Sequence, residues 1–290
     1  MPQPGHVRSH LVPRCYLRRF ADQREHVRVY EKNGNVPPYI TSIENTAVER
    51  DFYIIETAVG PSHEIETRLS DIENHACEAL VRLAGDVWPM EGQDRDWLAN
   101  FIALQFTRGR HFRDMQNRIA NEALKLLARG RAANPEWISA QLGPNATEDE
   151  VRQTTSVLRN GRFTVTPDQS ASVIGALKTA ARLVQPLGMM RWNLMKASTV
   201  SIISSDAPVT LWREPSERDD YEGIGILTAD EIAVPVDPQH ALILLPPDDA
   251  GDGSDVVLAS NNQVAALNSR TILGAFRQIY AHPATEPSGR

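Results

Sequence analysis

The sequence predicts an α+β fold, in which a mainly helical body with a long central helix carries a small, largely antiparallel sheet. Apolar residues recur at helical spacing through the first two thirds of the chain. Short strand-like runs separated by turn residues dominate 199–283. A chain of 290 residues suits one large domain or two small ones. We predict a single domain over 1–283, followed by a flexible tail over 284–290.

Composition excludes several classes of protein. No segment approaches the roughly 20 uninterrupted apolar residues of a membrane span, so we expect no membrane partner. No apolar stretch follows the basic N-terminus, and we therefore expect no signal peptide and a cytoplasmic location. Cys15 and Cys77 are too few and too far apart to indicate a disulfide framework, and we interpret them as buried free thiols.

The net charge of −7 is unevenly distributed along the chain. Residues 1–30 carry six Arg against one Asp and one Glu, a net +4. Residues 107–131 carry six Arg and one Lys against one Asp and one Glu, a net +5. Two basic segments in an acidic chain favour a local anionic ligand over a surface that coats nucleic acid. The alternative is that these arginines serve internal carboxylates or solvated helix faces.

The first elements are short. A helix is predicted to begin at Pro13, because proline is favoured as the first helical residue. Residues 26–30 alternate like a strand, and a second short strand follows the next turn. Glu49, Asp51 and Tyr53 occupy alternate positions of that second strand and would lie on one side of it.

The central element is a helix predicted over 94–129, whose apolar stripe also contains Gln105 and Arg108. A buried guanidinium must be paired, because an isolated charge in a core is strongly unfavourable. The preceding helix, over 63–84, carries two glutamates on one face, two turns apart. A short connection favours an antiparallel hairpin of the two helices. That hairpin brings Glu73 level with Arg108, so we predict that the two are partners.

The remaining elements follow from periodicity and turn residues. Further helices are predicted over 135–142, 148–159, 168–197 and 261–275. Further strands are predicted over 199–204, 209–212, 231–236, 241–245 and 276–281. Thr147 and Glu150 form a capping box at the start of one helix. Pro186 and Gly188 favour a kink or break near the end of another. Acidic loops at 214–222 and 248–255 are interpreted as solvated.

The sequence contains no strong catalytic or metal-binding motif. G-x-S-x-G, the P-loop, H-E-x-x-H and C-x-x-C are all absent from it. A set of polar side chains remains. The candidate catalytic residues are His10, Glu49, Asp51, Tyr53, Glu66, Glu73, Gln105, Arg108 and Asp206. The candidate ligand-binding residues are Arg14, Arg18, Arg110, His111 and Ser205.

Together these residue types suit hydrolysis of a phosphate-containing substrate, nucleic acid among them. Clustered carboxylates hold Mg²⁺ or Mn²⁺, hard cations that favour oxygen ligands, and either would be the implied cofactor. Arginines clamp a phosphate by bidentate hydrogen bonds, and a histidine moves a proton at neutral pH. The residues expected to supply metal ligands or the general base are Glu49, Asp51, Glu66 and Glu73. We therefore predict a metal-dependent hydrolase of nuclease or phosphodiesterase type.

Two alternatives stay open. The chain is a binding or regulatory module that recognises an anionic small ligand or a partner protein, or Arg108 and its carboxylates form a purely structural network. A buried Arg–Glu pair is more often structural than part of a metal site. Ser205 and Asp206 precede Ala207-Pro208, which is typical of a turn stabilised by side-chain bonds to its own backbone.

Seven motifs occur in a fixed order along the chain. They are His10-x-x-Pro-x-x-Tyr-Leu-x-x-Phe20, Val48-Glu-Arg-Asp-Phe-Tyr53, Ile65-Glu-x-x-Leu-Ser-x-Ile-Glu73, Gln105-x-x-Arg108, Ser204-Ser-Asp-Ala-Pro-Val209, Pro235-x-x-Pro238 and Leu267-Asn-x-Arg270. In this order they resemble the bacterial domain-of-unknown-function family 4238 (DUF4238). The resemblance implies one domain family over nearly the whole chain. It implies no reaction, and it marks the polar residues named in these motifs as part of the family pattern. Gly109-Arg110 stands where relatives often have Thr-Pro, so this part of the pattern differs.

Overall fold

The computed structural model describes residues 8–50, 52, 55–57, 60–62, 64–217, 223–247 and 254–285. Helices account for most of the regular structure in these ranges. They are α1 Arg14–Leu17, α2 Glu64–Ala84, α3 Gly92–Thr107, α4 Arg110–Arg131, α5 Pro135–Leu142, α6 Glu148–Asn160, α7 Gln169–Met189 and α8 Asn261–Gly274. The α+β prediction is confirmed. Residues 286–290, most of the predicted tail, lie outside the described residues.

Helix α3 lies at the centre of the helical body. It packs against α2 and α7, and Leu98, Phe101 and Ile102 are almost completely buried. The predicted hairpin of α2 and α3 is confirmed, with residues 85–91 as its connection. Burial of these large apolar side chains is the main favourable contribution to folding at such a position. No helix in the described ranges is both long enough and apolar enough to span a membrane.

The single long helix predicted over 94–129 is wrong. Arg108 ends α3 as its C-cap, and Gly109 has an extended backbone (ψ 158°) that caps the start of α4. Glycine is a poor helix former, so the break occurs where helix propensity is lowest. The predicted apolar stripe is buried only as far as Phe112, in the first turn of α4. Ile119 is 61% exposed and Leu126 is 68% exposed, because α4 extends beyond the helices that cover α3.

Short strands form four small sheets. The strands are β1 Arg8–His10, β2 His26–Glu31, β3 Tyr39–Ser42, β4 Val48–Arg50, β5 Ile55–Thr57, β6 Gly60–Ser62, β7 Arg191–Ala197, β8 Ser204–Ser205, β9 Thr210–Trp212, β10 Glu231–Asp237, β11 His240–Leu245, β12 Val256–Ala259 and β13 Gln278–Ala281. Their orders are β12-β7-β11-β10-β9, β3-β2-β13-β8, β1-β4 and β5-β6. Only the β12–β7 pair is parallel among the described strands. The prediction of a largely antiparallel sheet is therefore confirmed.

The five-stranded sheet is buried on both faces. On β10, Ile232 and Val234 pack into the main core with the helical body, whereas Ala233 faces a second cluster that includes Val264 and Leu267 of α8. Side chains alternate between the two faces of a strand, so each face covers a different helical layer. The sheet consequently joins α8 to the rest of the protein.

Three element assignments near this sheet are corrected. The helix predicted over 168–197 ends at Met189, and β7 follows as the strand in which Trp192 and Leu194 are buried. The strand predicted over 199–204 overlaps the two-residue strand β8 only at Ser204. The acidic loop at 248–255 is followed by β12, which the sequence analysis missed. In each case short apolar runs have no periodicity that distinguishes strand from helix or loop.

The two cysteines form a disulfide, so the prediction of free thiols is wrong. Cys15 of α1 and Cys77 of α2 are joined across a sequence separation of 62 residues. Sequence separation does not limit which elements pack together, and α1 lies against α2. Cys15 Sγ lies 3.9 Å from the carbonyl oxygen of Glu73. The disulfide therefore fixes the N-terminal segment beside the middle of α2.

Removal of this disulfide is expected to destabilise the protein. A cross-link over this separation restricts the unfolded chain, which contributes about 4 kcal/mol in the chain-entropy model. We expect the double variant Cys15→Ala/Cys77→Ala, and the wild type under reductant, to unfold at lower temperature than the oxidised wild type. Thiol titration of the denatured, unreduced protein should find no free thiol. Equal melting temperatures for all three samples would contradict the expectation.

A second buried contact joins the N-terminal segment to the β10–β11 turn. Asp237 accepts hydrogen bonds from Arg19 Nη2 (2.8 Å), the Gln239 N–H (2.7 Å) and His240 Nδ1 (3.0 Å). Burial raises the pKa of the Asp237 carboxyl, but the bonds from His240, Gln239 and Arg19 outweigh it, and the net shift is downward. The charged carboxylate is therefore favoured in the folded state.

The lowered pKa of Asp237 predicts a pH-dependent contribution to stability. That contribution is fully present above the unfolded-state pKa of about 4, and it is lost as pH falls through the lower folded-state pKa. We expect Asp237→Asn to reduce the free energy of unfolding at pH 7 by about 1–3 kcal/mol. The difference from wild type should shrink below about pH 4. Urea titrations across pH 3–7 measure it, and a difference that grows on acidification would refute it.

Candidate functional site

Arg108 is buried at the end of α3 and is held by neighbouring polar side chains. Its side chain is 3% exposed and forms an ion pair with Glu73 of α2 through Nη1. With the Gln105 amide oxygen turned toward the guanidinium, that oxygen accepts a bond from Arg108 Nε at 3.0 Å. The predicted Glu73–Arg108 pair is confirmed. The two contacts supply acceptors for a buried cation that would otherwise be strongly destabilising.

One small cavity formed by described residues adjoins this guanidinium. A cavity of about 20 Å³ lies beside it, lined by Phe52, Leu69, Leu104, Thr107, Arg108, Arg113, Gln116, Ser172, Val173, Ala176 and Leu177. Such a volume holds about one water molecule. A phosphate group does not fit there, so this cavity offers Arg108 no room for a substrate. Among the described residues, Arg108, Glu73 and Gln105 therefore form a largely buried, hydrogen-bonded group.

Arg14 and Arg18 lie elsewhere, on the exposed side of the N-terminal segment. Arg18 Nε donates to Glu25 Oε1 at 2.7 Å, and Arg14 Nη2 lies 3.8 Å from Glu25 Oε2. These side chains are about half exposed, so pairs of this kind contribute little to stability. Arg19, which the sequence analysis did not select, instead reaches the buried Asp237.

Two candidate residues lie in the first turn of α4. Arg110 Nη2 is 3.0 Å from Glu49 Oε2 of β4, and the Arg110 guanidinium lies 5.6 Å from the centre of the Phe276 ring. His111 is exposed and contacts the same ring edge-on, with ring centres 5.0 Å apart. Gly109 provides no side-chain cap for this helix start. We call Glu49, Arg110, His111 and Phe276 the α4 cluster.

Asp206 positions one member of the α4 cluster. Its carboxylate accepts from the backbone N–H groups of Phe276 (2.8 Å), Arg277 (2.8 Å) and Gln278 (3.0 Å). Burial raises the pKa of Asp206, and the three N–H bonds and the nearby His111 only partly oppose that rise. These bonds hold the backbone that presents Phe276 to Arg110 and His111. Asp206 therefore supports the cluster from behind.

Ser205 is a buried residue of β8 whose side chain stabilises the turn that follows the strand. Its hydroxyl accepts from the Ala207 N–H at 3.1 Å, and its backbone pairs with Ile279 in the β13–β8 ladder. This side chain-to-backbone bond is the one expected of a turn. The alternative assignment of Ser205 and Asp206 to a turn agrees with these bonds.

His10 and Glu49 are adjacent in the β1–β4 ribbon but do not share a face. His10 lies opposite Val48, whereas Glu49 lies opposite Ser9. Opposed residues of an antiparallel pair point to the same side and neighbours alternate, so His10 and Glu49 point to opposite sides. The half-buried His10 is thus not placed in the α4 cluster. Asp51, Tyr53 and the Glu66 side chain lie outside the described residues.

The residues present do not fit a metal site within the part of the chain that the structure describes. No group of three or more His, Cys, Asp or Glu side chains converges there to hold an ion. Glu49 faces the cation Arg110, and Glu73 faces the cation Arg108. Each of these two carboxylates therefore already has a positive partner.

Some contacts near the site carry no clear signal in the sequence. Arg113 lies 3.6 Å above the Phe52 ring, and Tyr16 binds Ser204 (2.8 Å) and the Pro235 carbonyl (2.7 Å) through its hydroxyl. Burial raises the pKa of Tyr16 far above its ordinary value, so its hydroxyl stays neutral. Phe276 itself is a single aromatic residue before a strand, and only the fold shows its contacts.

The Arg108–Glu73 ion pair predicts how removal of its charges changes the free energy of unfolding. Arg108→Met leaves the Glu73 carboxylate half-buried without its cation, and we expect a loss of about 3–5 kcal/mol in the free energy of unfolding. The double variant Arg108→Met/Glu73→Leu should recover most of this loss, because neither charge remains. Arg118→Met, an exposed position of α4, is the control and should change stability by less than about 0.5 kcal/mol. Denaturant titrations measure all four proteins; a double variant no more stable than Arg108→Met would contradict a structural pair.

Comparison with known proteins assigns the chain to a family whose function is unknown. The family model described as "Protein of unknown function (DUF4238)" matches residues 8–285. No curated protein and no solved structure matches the chain. The match covers nearly the entire sequence, and the resemblance inferred from the ordered motifs is confirmed. The chain belongs to the DUF4238 family.

Proposed function

We propose that the protein is a hydrolase that binds a phosphate-containing substrate at the start of α4 and cleaves a phosphoester bond there. The observation that carries the proposal is that Arg110 and the exposed His111 are neighbours in the first turn of α4, where both contact the Phe276 ring and Arg110 also contacts the carboxylate of Glu49. Both arginines have a carboxylate partner, but the Arg108 side chain is 3% exposed whereas that of Arg110 is 37% exposed. Among the candidate residues that the structure describes, this is where a cation, a proton carrier and a carboxylate occur together.

The positive groups of the cluster suit a phosphate. The first N–H groups of a helix have no partner within the helix and carry a partial positive charge, and both properties favour an anion. Arg110 adds a full charge with donors in a planar fork. Arg110 is half-buried, so an ion pair with a phosphate there would be less screened by water than one on an open surface.

The remaining members of the cluster supply proton transfer. In the proposed hydrolysis a water attacks phosphorus, the bond from phosphorus to the leaving oxygen breaks, and that oxygen takes a proton. His111 would donate this proton, since imidazole exchanges protons near neutral pH. Glu49, released from Arg110 when phosphate binds, would accept the proton of the attacking water. Phe276 orients Arg110 and His111 through ring contacts.

A binding or regulatory module is the alternative, and one observation favours it. Glu49 neutralises Arg110 in this structure, and such a pair can be opened by a stronger anion without any reaction. An anionic small ligand or an acidic segment of a partner protein would then bind by charge alone. Nucleic acid is a further possible ligand of the same kind, and its binding would weaken steeply with added salt.

The proposed cytoplasmic location is opposed by one feature of the fold. Disulfides are rare in the cytosol of most organisms, where thiols are kept reduced, and Cys15 and Cys77 are bonded. The location therefore stays a prediction. The thiol state of the protein isolated under alkylating conditions tests it.

The hydrolase proposal predicts activity that depends on the α4 cluster. With bis(p-nitrophenyl) phosphate as substrate, with and without Mg²⁺ or Mn²⁺, we expect Arg110→Ala and His111→Ala each to lower kcat/KM by about 100-fold. Arg118→Ala removes the same charge from an exposed position further along α4, and it should leave the rate unchanged.

The outcomes separate the candidate functions. Loss of turnover in Arg110→Ala and His111→Ala, but not Arg118→Ala, supports hydrolysis at the cluster. Absence of turnover in the wild type, together with Arg110-dependent binding of inorganic phosphate in calorimetry, supports the binding module. Neither turnover nor binding removes the α4 cluster as a functional site.

A further inference from the structure

An open cleft lies between the N-terminal segment and α2. It encloses about 470 Å³, and its described lining consists of Cys15, Arg18, Arg19, Asn74, Cys77, Glu78 and Val81. A volume of this size is typical of small-molecule sites. None of these residues belongs to the α4 cluster, so a function of the cleft does not depend on the proposed hydrolysis.

The Cys15–Cys77 disulfide joins the two walls of the cleft. On α2, Asn74, Cys77 and Val81 follow one another at spacings of three and four residues, so they share one face of the helix. Cys15 supplies the sulfur of the opposite wall and is half-buried, whereas Cys77 is 9% exposed. A disulfide inside a core is out of reach of other thiols, but this one borders a space that a small molecule can enter.

The charged groups of the cleft do not select a ligand by the sign of its charge. Arg18 and Arg19 each have a carboxylate partner, and Glu78 adds a negative group to the α2 wall. What distinguishes the cleft is the sulfur–sulfur bond in its wall, and the group that reacts with a disulfide is a thiolate. The cleft therefore suits thiols of either charge, within a limit set by their size.

Other contacts hold the N-terminal segment when the sulfur–sulfur bond is open. Tyr16, Leu17 and Phe20 are completely buried, and the Tyr16 hydroxyl binds a serine hydroxyl and a backbone carbonyl. None of these contacts involves sulfur. We therefore expect α1 to stay beside α2 after reduction. The two cysteines, whose Cα atoms lie 6.0 Å apart in the bonded form, would then remain close enough to close the bond again.

We propose that the Cys15–Cys77 disulfide is a site of reversible thiol–disulfide exchange, at which a low-molecular-weight thiol enters the cleft and opens the link between α1 and α2. The thiolate attacks Sγ of the more exposed Cys15, the Sγ–Sγ bond breaks, and Cys77 leaves as a thiolate that takes a proton from water. A second thiolate then attacks the mixed disulfide, which releases Cys15 and forms the disulfide of the small thiol. The protein gains two electrons while two small thiols are oxidised, and a small disulfide reverses both steps.

The test uses glutathione and the oxidised full chain near neutral pH, without denaturant. We expect reduction at a rate proportional to the thiolate concentration, with a glutathione adduct on Cys15 trapped by acid quench and found by mass spectrometry. Non-denaturing urea should leave this rate nearly unchanged, whereas a reaction that requires unfolding would accelerate steeply, because urea favours the unfolded state. Such acceleration, an adduct on Cys77 alone, or a disulfide that reacts only with a protein dithiol would overturn the proposal.

Selection by size locates the reaction in the cleft. Val81→Trp fills the cleft from its exposed α2 wall and should lower the glutathione rate at least tenfold, whereas Val157→Trp makes the same change at an exposed position of α6 and should leave the rate unchanged. A thiol-terminated polyethylene glycol, which is too large for the cleft, should reduce the wild type at least tenfold more slowly than glutathione does, after each rate is divided by that of the denatured chain. Circular dichroism checks that each variant is folded. An unchanged glutathione rate in folded Val81→Trp, or equal relative rates of the two thiols, would refute exchange in this cleft.

Discussion

The buried guanidinium of Arg108 is the constraint on which the arrangement of the helices depends. It sits at the last turn of α3 and takes acceptors from two helices, Glu73 of α2 and Gln105 of α3. Any sliding of α2 along α3 would separate the charges in a region with almost no water, where an unpaired ion is far more costly than at the surface. The pair therefore fixes the alignment of the hairpin and the point at which α3 ends. Because α4 begins two residues later, the same pair sets where Arg110 and His111 emerge.

A second set of polar contacts positions the opposite side of the cluster. The Asp206 carboxylate accepts hydrogen bonds from three backbone N–H groups just before and at the start of the last strand. These bonds fix the position of Phe276, whose ring contacts both Arg110 and His111. Arg108 and Asp206 thus influence the α4 cluster without belonging to it, because each fixes backbone on which residues of the cluster stand. Neither Arg108 nor Asp206 contacts the proposed substrate position, yet both determine its shape. Arg108 and Asp206 both belong to the motifs of the family, whereas Arg110 and His111 do not.

Part of this arrangement could be predicted from the sequence, and the rest could not, for physical reasons. The Arg108–Glu73 pair was predictable because a charge on an apolar stripe demands a partner and a short connection brings one helix onto the next. The Thr147 cap was predictable because its bonds are local.

The break at Gly109 was missed because apolar periodicity continues past it. The Cys15–Cys77 bond and the role of Phe276 depend on contacts between distant segments, which residue spacing does not report. His10 and Glu49 fall on opposite faces because their strands pair in a register that no local pattern specifies.

The covalent bond between Cys15 and Cys77 also changes what a cut in the backbone would do. It closes a loop that contains β2 to β6, including the exposed residues 33–38 between β2 and β3. A protease that cleaves once inside this loop would produce two polypeptides that remain attached to each other. The nicked protein would keep its original mass on a non-reducing gel and separate only after reduction. The N-terminal segment, which contributes Tyr16 and Arg19 to the core contacts, would thus remain in place after its chain had been broken.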